Sequence, residues 1–231
     1  MLKDMKLTEF IDAVAAKSSV PGGGAVSAAA SAMGAALGIM AAQYSDGPKP
    51  AEAMKILEKH RADLTSFIDA DAEAYSKVSA AYGLPKKSDE EKAKRKAAIQ
   101  EALKEAADVP LRAMRASLAA IQAVAGYLEN VNKNLVSDFA GAVLMCEAGL
   151  VGCGLNVRIN AGLMNDAALK ASNVTLKKFF GPPTETNFAG GYLSGELHDV
   201  EAARAAFVDA IAEVVASPLG GMRRPSRERA R

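Results

Sequence analysis

Residues 51–82, AEAMKILEKHRADLTSFIDADAEAYSKVSAAY, set Ile56, His60, Leu64, Phe67, Ile68, Asp71, Tyr75 and Val78 along one side at three- and four-residue steps. That is the repeat of an α-helix, and Gly83-Leu84-Pro85 closes it. Elsewhere Ala dominates, strand-type alternation is almost absent and the β-branched residues are scattered. Propensity and pattern therefore agree on an all-α fold, an antiparallel bundle of long helices. Aromatic residues make up only 5% of the chain, so the core has to come from close backbone approach.

Upstream, a short helix is expected over residues 6–16, with an apolar stripe of Leu7, Phe10, Ile11 and Val14. Pro21 and Gly22, Gly23 and Gly24 interrupt it. A second helix, residues 25–44, carries two unlike faces. Val26, Met33, Leu37, Met40 and Tyr44 form a large apolar one; Ser27, Ala28, Ser31, Ala35 and Gly38 form a small one that invites a neighbouring helix. Asp46-Gly47-Pro48 ends this element.

Downstream, Ser88-Asp89-Glu90-Glu91 reads as a capped, acidic helix start. Pro110 should kink or restart that helix, and a further one runs to about residue 128. Residues 130–134 read as a loop, and Ser137-Asp138 as the cap of an apolar helix reaching about residue 165. After Lys178 the character changes. Gly181-Pro182-Pro183 and Gly190-Gly191 frame a loop-like segment, residues 199–216 return as an amphipathic helix, and residues 220–231, with five arginines, read as a basic disordered tail. Residues 1–219 are expected to form one domain.

At 231 residues and 50% hydrophobic composition the chain can fill one core. A net charge of +1 gives no global attraction to nucleic acid or to an anionic membrane. Cys146 and Cys153 lie seven apart on one helix, roughly 10 Å along its axis, too far for a mutual disulfide. His60 and His198 are far apart and no CxxC is present, so zinc-type ligand spacing is missing; a carboxylate-built site stays open. Residues 1–10 are charged and unlike a secretory signal. Residues 25–42 are uncharged but rich in Ala, Gly and Ser, which suits a buried helix of a soluble, cytoplasmic protein better than a membrane span.

Asp71 points the way Leu64 and Ile68 point. A carboxylate on an apolar face must be paired or hydrogen-bonded, and burial raises its pKa toward the range useful for proton transfer. Spacing alone leaves two roles open, a structural hydrogen bond and proton handling. Asp63 and Asp69 fall on other sides and read as solvated acids. Tyr75 and His60 read first as structural. Gly22, Gly23 and Gly24 precede a helix whose free N–H groups could hold an anion, or they could be a hinge; the run matches neither a Walker motif nor GxGxxG. Asn156 and Asn160 share a face with Gly149 and Gly152, where two amides could meet a heterocycle or knit helices together. Asp138 has an ordinary explanation as a first-turn acid.

Four runs are found together: Ser19-Val20-Pro21-Gly22-Gly23-Gly24-Ala25-Val26-Ser27-Ala28, Asp69-Ala70-Asp71-Ala72-Glu73-Ala74-Tyr75, Gly83-Leu84-Pro85-Lys86 and Asn156-Val157-Arg158-Ile159-Asn160. In this order and spacing they resemble the cyclodeaminase domain of formiminotransferase-cyclodeaminases and the stand-alone methenyltetrahydrofolate cyclohydrolases. The resemblance covers residues 7–170. It implies an all-helical homodimer with folate in a cleft among the helices, and no cofactor beyond the tetrahydrofolate substrate. The family's catalytic aspartate falls on Asp71. Gly22, Gly23, Gly24, Ser27, Tyr75, Lys86, Asp138, Asn156 and Asn160 lie in matching segments as substrate-binding candidates. The expected activity is hydrolysis of 5,10-methenyltetrahydrofolate. Formiminotetrahydrofolate cyclodeamination is the alternative, less favoured because this chain carries no formiminotransferase domain, and a non-catalytic helical dimer is a third. The pattern departs after Lys178.

Overall fold

A computed structural model describes residues 1–165. Five α-helices and three single turns of 3-10 helix account for most of them, and no strand occurs among the described residues. The helices are α1 (Leu7–Ala15), α2 (Gly23–Gln43), α3 (Pro48–Tyr82), α4 (Asp89–Ala125) and α5 (Val136–Gly162). The segments 181–183 and 190–191, the amphipathic stretch 199–216 and the tail 220–231 lie outside the described residues.

The long third helix forms as its period requires, and local chemistry fixes its start. Gly47 precedes it at φ +109°, the left-handed region that favours glycine, and prolines occupy the first turn, where a missing N–H costs nothing. At the start of α4, Ser88 Oγ accepts from the Glu91 N–H at 3.1 Å while Glu91 accepts from the Ser88 N–H, a reciprocal cap.

α2 to α5 form an up-down-up-down bundle. Along α2, Ser31 and Gly38 meet Ser117 and Val124 of α4 in the same order, whereas Ser31, Gly34 and Gly38 meet Gly149, Cys146 and Ala142 of α5 in the opposite order, so α2 runs parallel to α4 and antiparallel to α5. The small face of α2 does what its composition predicts. A β-carbon on Gly34 would lie 2.7 Å from the Ala142 carbonyl oxygen, and one on Gly149 or Gly152 would overlap the hydroxyls of Ser31 or Ser27. The helices touch backbone to backbone along this seam. The Ser31 hydroxyl also donates to the Cys146 carbonyl at 3.3 Å and lies 2.7 Å from Ser117 Oγ, tying three helices together without an unsatisfied group. Larger side chains, among them Leu57, Leu64, Met114, Tyr127 and Phe139, fill the remaining centre. Tyr127 donates to the Gly38 carbonyl at 2.8 Å and stands edge-on to Phe139.

Two local expectations are corrected. α4 runs unbroken through Pro110, because the carbonyl that loses its partner there is satisfied from another helix, as described below. Ser137 and Asp138 lie inside the first turn of α5 rather than capping it; the turn Lys133–Leu135 leads directly into the helix and Leu135 is the capping residue. The apolar stripe of α1 stays largely open among the described residues: Leu7, Ile11 and Val14 are exposed, while Phe10 packs on the body. Two helical stretches, Gly23–Gln43 and Lys133–Gly162, are long and apolar enough to cross a membrane by length and composition. In the fold they are the two helices that share the glycine seam.

Candidate active site

The start of α2 has no side-chain cap of its own: Gly22 is the N-cap, and the following N–H groups have no intrahelical acceptor. Asp71, about two-thirds of the way along α3, fills that need. Its Oδ2 accepts from the Ala25 N–H at 2.9 Å, and the rest of the carboxylate occupies the space a β-carbon on Gly24 would take. A negative group at a helix N-terminus is favoured by the dipole and by the free N–H groups. Burial is the stronger influence nonetheless, and it raises the Asp71 pKa above the usual aspartate value against the opposing Ala25 hydrogen bond.

α5 closes the other side. Asn156 donates to the Gly152 carbonyl one turn back at 2.9 Å, and its amide lies 3.2 Å from where a β-carbon on Gly23 would be. Cys153 is fully buried close enough to feel the Asp71 charge; burial first and that charge second push its thiol up to about 12, so it stays protonated. Ser27 donates back to the Gly23 carbonyl at 2.6 Å and packs against Gly152. Asp71, Gly22, Gly23, Gly24, Ser27 and Asn156 thus gather at one end of the bundle, around a half-buried carboxylate.

The formiminotransferase-cyclodeaminase family profile matches residues 6–175. The chain belongs to the formiminotransferase-cyclodeaminase family. It is 44% identical to a methenyltetrahydrofolate cyclohydrolase of Methylorubrum extorquens over 167 residues, which cover 69% of this chain and 80% of that one. It is 34% identical to the formimidoyltransferase-cyclodeaminase of Rattus norvegicus over 73% of this chain, but spans only 33% of that longer protein. Among solved structures, the formiminotetrahydrofolate cyclodeaminase of Thermotoga maritima superposes with a TM-score of 0.68 at 27% identity, covering 93% of this chain and 97% of the other.

Not every segment that carries the formiminotransferase-cyclodeaminase resemblance converges on Asp71. Tyr75, one turn along α3, is 45% exposed and open to a ligand. Lys86 is exposed beyond the end of α3, and Asp71 to Tyr82 alone spans roughly 16 Å of helix. Asp138 begins α5 whereas Asn156 is near its end, roughly 27 Å along the axis, so within one chain Asp138 stands at the opposite end of the bundle. Asn160 has a structural partner. Pro110 has no N–H, which strips the Ala106 carbonyl of its helical donor, and Asn160 Nδ2 donates to that carbonyl at 2.7 Å.

Asp69 is the residue that periodicity misjudged. It is 7% exposed, not solvated, and its Oδ1 accepts from the N–H of Leu2 at 2.6 Å and of Lys3 at 3.4 Å, with Lys3 Nζ 3.9 Å from its other oxygen. The N-terminal turn covers that side of α3, a contact across 67 positions that no local pattern announces. Cys153 was legible only as a buried thiol, because its nearness to Asp71 depends on how α3 and α5 meet. His60 sits in a half-buried position 3.6 Å from Asp63, and burial lowers its pKa despite that acid. Among the described residues no group of three or more His, Cys, Asp or Glu could hold a metal ion.

Proposed function

We propose that this chain is a methenyltetrahydrofolate cyclohydrolase, hydrolysing 5,10-methenyltetrahydrofolate to 10-formyltetrahydrofolate, and that Asp71 is its proton-transfer group. The observation that carries the reading is the seat of Asp71: a carboxylate with a raised pKa, fixed by the Ala25 N–H and backed by Gly24, in a chain 44% identical to a protein of that name.

The methenyl carbon bridges N5 and N10 as an amidinium and is electrophilic. Asp71 as carboxylate takes a proton from the attacking water as its oxygen bonds to that carbon. The neutral tetrahedral adduct then breaks its C–N5 bond as its hydroxyl becomes the formyl carbonyl on N10; the proton held by Asp71 passes to N5, and the hydroxyl proton is taken by the freed carboxylate and released to solvent, the one net proton of the reaction. A carboxyl with a raised pKa is suited to both halves of this exchange. The free N–H groups at the start of α2 and the Asn156 amide are the groups that orient the ring system. An ionised Asp71 could instead bind the pterin's amino and ring N–H edge through paired hydrogen bonds.

The similarity to the Thermotoga maritima cyclodeaminase favours a second reading, in which formiminotetrahydrofolate closes its ring and releases ammonia at the same carboxylate. A cytoplasmic homodimer completes the proposal. Two free buried thiols suit a reducing compartment. Val26 of α2 and Leu144, Val151, Leu155 and Ile159 of α5 present apolar surface of the kind a second copy covers.

The deciding experiment follows loss of the near-ultraviolet absorbance of methenyltetrahydrofolate against its uncatalysed hydrolysis. Acceleration by the wild type that Asp71→Asn removes supports the reading. No acceleration by a folded wild type, with ammonia released from formiminotetrahydrofolate, replaces it with the cyclodeaminase; inactivity in both assays leaves a non-catalytic helical protein. If Asp71→Asn weakens binding but keeps single-turnover rates, Asp71 is a pterin anchor rather than a proton carrier.

A further inference from the structure

Helices α2 and α3 pair in a regular antiparallel register. Ala25 meets Asp71; one turn further along each helix, Ala29 and Ile68 line the near end of a groove, and Ala36 and Arg61 line its far end. The N-terminal turn, pinned to Asp69, borders this groove with Leu2 and Lys3. The groove is open to solvent, with a volume of about 330 Å³, and its walls are mainly apolar, with Phe10 and Met33 among them.

Two cations line the groove and no carboxylate does. Lys3 is already drawn toward Asp69, 3.9 Å away, but Arg61 forms no ion pair with a described residue. Thr65, also in the wall, returns its hydroxyl to the Arg61 carbonyl at 2.7 Å, so Arg61 is the polar group left to receive a ligand. From Asp71 to Arg61 is ten residues of α3, roughly 15 Å.

We propose that this groove holds the aminobenzoylglutamate tail of the folate, with the aromatic ring between the apolar walls and Arg61 binding the glutamate carboxylates. The assignment rests on the folate reading above. It follows from shape and charge: a flat apolar ring followed by an amide and carboxylates matches apolar walls that end in a guanidinium, and the groove begins one helical turn from the carboxylate proposed to act on the other half of the molecule. An arginine binds a carboxylate through two parallel N–H bonds, which fixes the tail's position as well as its charge. Lys86, one of the substrate-binding candidates that the resemblance implies, lies beyond the opposite end of α3.

The test compares wild type, Arg61→Gln, Arg61→Lys and Ala36→Trp for kcat and KM with methenyltetrahydrofolate, together with calorimetric titration by p-aminobenzoylglutamate and by p-aminobenzoate. Arg61→Gln should raise KM about tenfold and leave kcat within about twofold, with partial recovery in Arg61→Lys. Ala36→Trp, which fills the groove from an exposed position, should raise KM without lowering Tm. The wild type should bind p-aminobenzoylglutamate at least about tenfold more tightly than p-aminobenzoate, and Arg61→Gln should lose that preference. An unchanged KM in both Arg61→Gln and Ala36→Trp, or equal binding of the two fragments, overturns the proposal. If the wild type does not accelerate the hydrolysis, the reaction assignment fails on its own, and the fragment titration still decides the groove.

Discussion

The carboxylate of Asp71 stands where a side chain on Gly24 would have to be. The two residues are far apart in sequence, yet each makes the other possible: the missing side chain lets the carboxylate reach the Ala25 N–H, and the carboxylate supplies the cap that a glycine start lacks.

Gly24→Ala should therefore be far more damaging than an alanine at most helical glycines. The new methyl group must displace the carboxylate or part α2 from α3, at a stability cost of about 1–3 kcal/mol and with loss of most activity. Gly162→Ala, at the end of α5 with open space around its β-carbon, should be neutral or stabilising. Chemical denaturation and steady-state rates on the two variants check the contrast.

Asp71→Asn should remove activity without lowering stability at neutral pH. The folded-state pKa of Asp71 lies above its unfolded value, so the folded protein holds this proton more firmly. Its contribution to stability is complete below the ordinary aspartate value and is lost as pH rises through the folded one. The variant lacks this loss, so its Tm relative to wild type should rise across that interval and level off above it. Thermal unfolding of both proteins from pH 4 to pH 8, in buffers of matched ionic strength, measures the difference.

The activity of the wild type carries the complementary signature. If Asp71 acts as the base toward water, kcat should fall as pH drops through the raised pKa, with its inflection above the usual carboxylate range. A pH–rate profile in which kcat holds steady down to the ordinary aspartate value would assign the proton transfer elsewhere.

Asn160 and Pro110 should be energetically coupled. Asn160→Ala leaves the Ala106 carbonyl without a donor and is expected to destabilise by about 1–3 kcal/mol. In a Pro110→Ala background the restored helical N–H satisfies that carbonyl, and the same substitution should cost clearly less. A double-mutant cycle by urea denaturation reads the coupling directly.

Asp69→Ala should free the first turn with little effect on the bundle. The Leu2 and Lys3 amides lose their acceptor, so their hydrogen exchange should accelerate while that of the Leu57 and Leu64 amides is unchanged.

Much of this was legible from the chain alone, for reasons that differ by residue. The three-four repeat around Leu64 and Ile68 fixed α3, and the Ala, Gly and Ser face of α2 announced a close helix contact, because both are local consequences of helical geometry. Asp71 stood out because a carboxylate in an apolar stripe is costly to ignore. Asp69 was misread because its partners are backbone N–H groups at the far N-terminus, and a backbone donor leaves no mark in sequence. Pro110 is expected to kink or restart its helix because the rule for proline considers one helix, whereas the carbonyl it strands is satisfied by Asn160 on another. Asp138 and Lys86 share segments with recognisable motifs, but sequence order carries no information about which end of a bundle a residue occupies.

The contact of α2 with α5 has a consequence for how this site can vary. Because Gly34, Gly149 and Gly152 leave no slack between two stiff rods, thickness added at any of them cannot be absorbed locally; it is transmitted along the helix as a change of angle. Asn156 sits one turn beyond Gly152, at the swinging end of that lever. Positions that never meet a ligand therefore set the width of the opening in which Asp71 works, and the tolerance of the chain to mutation should be narrowest along a line of its smallest residues.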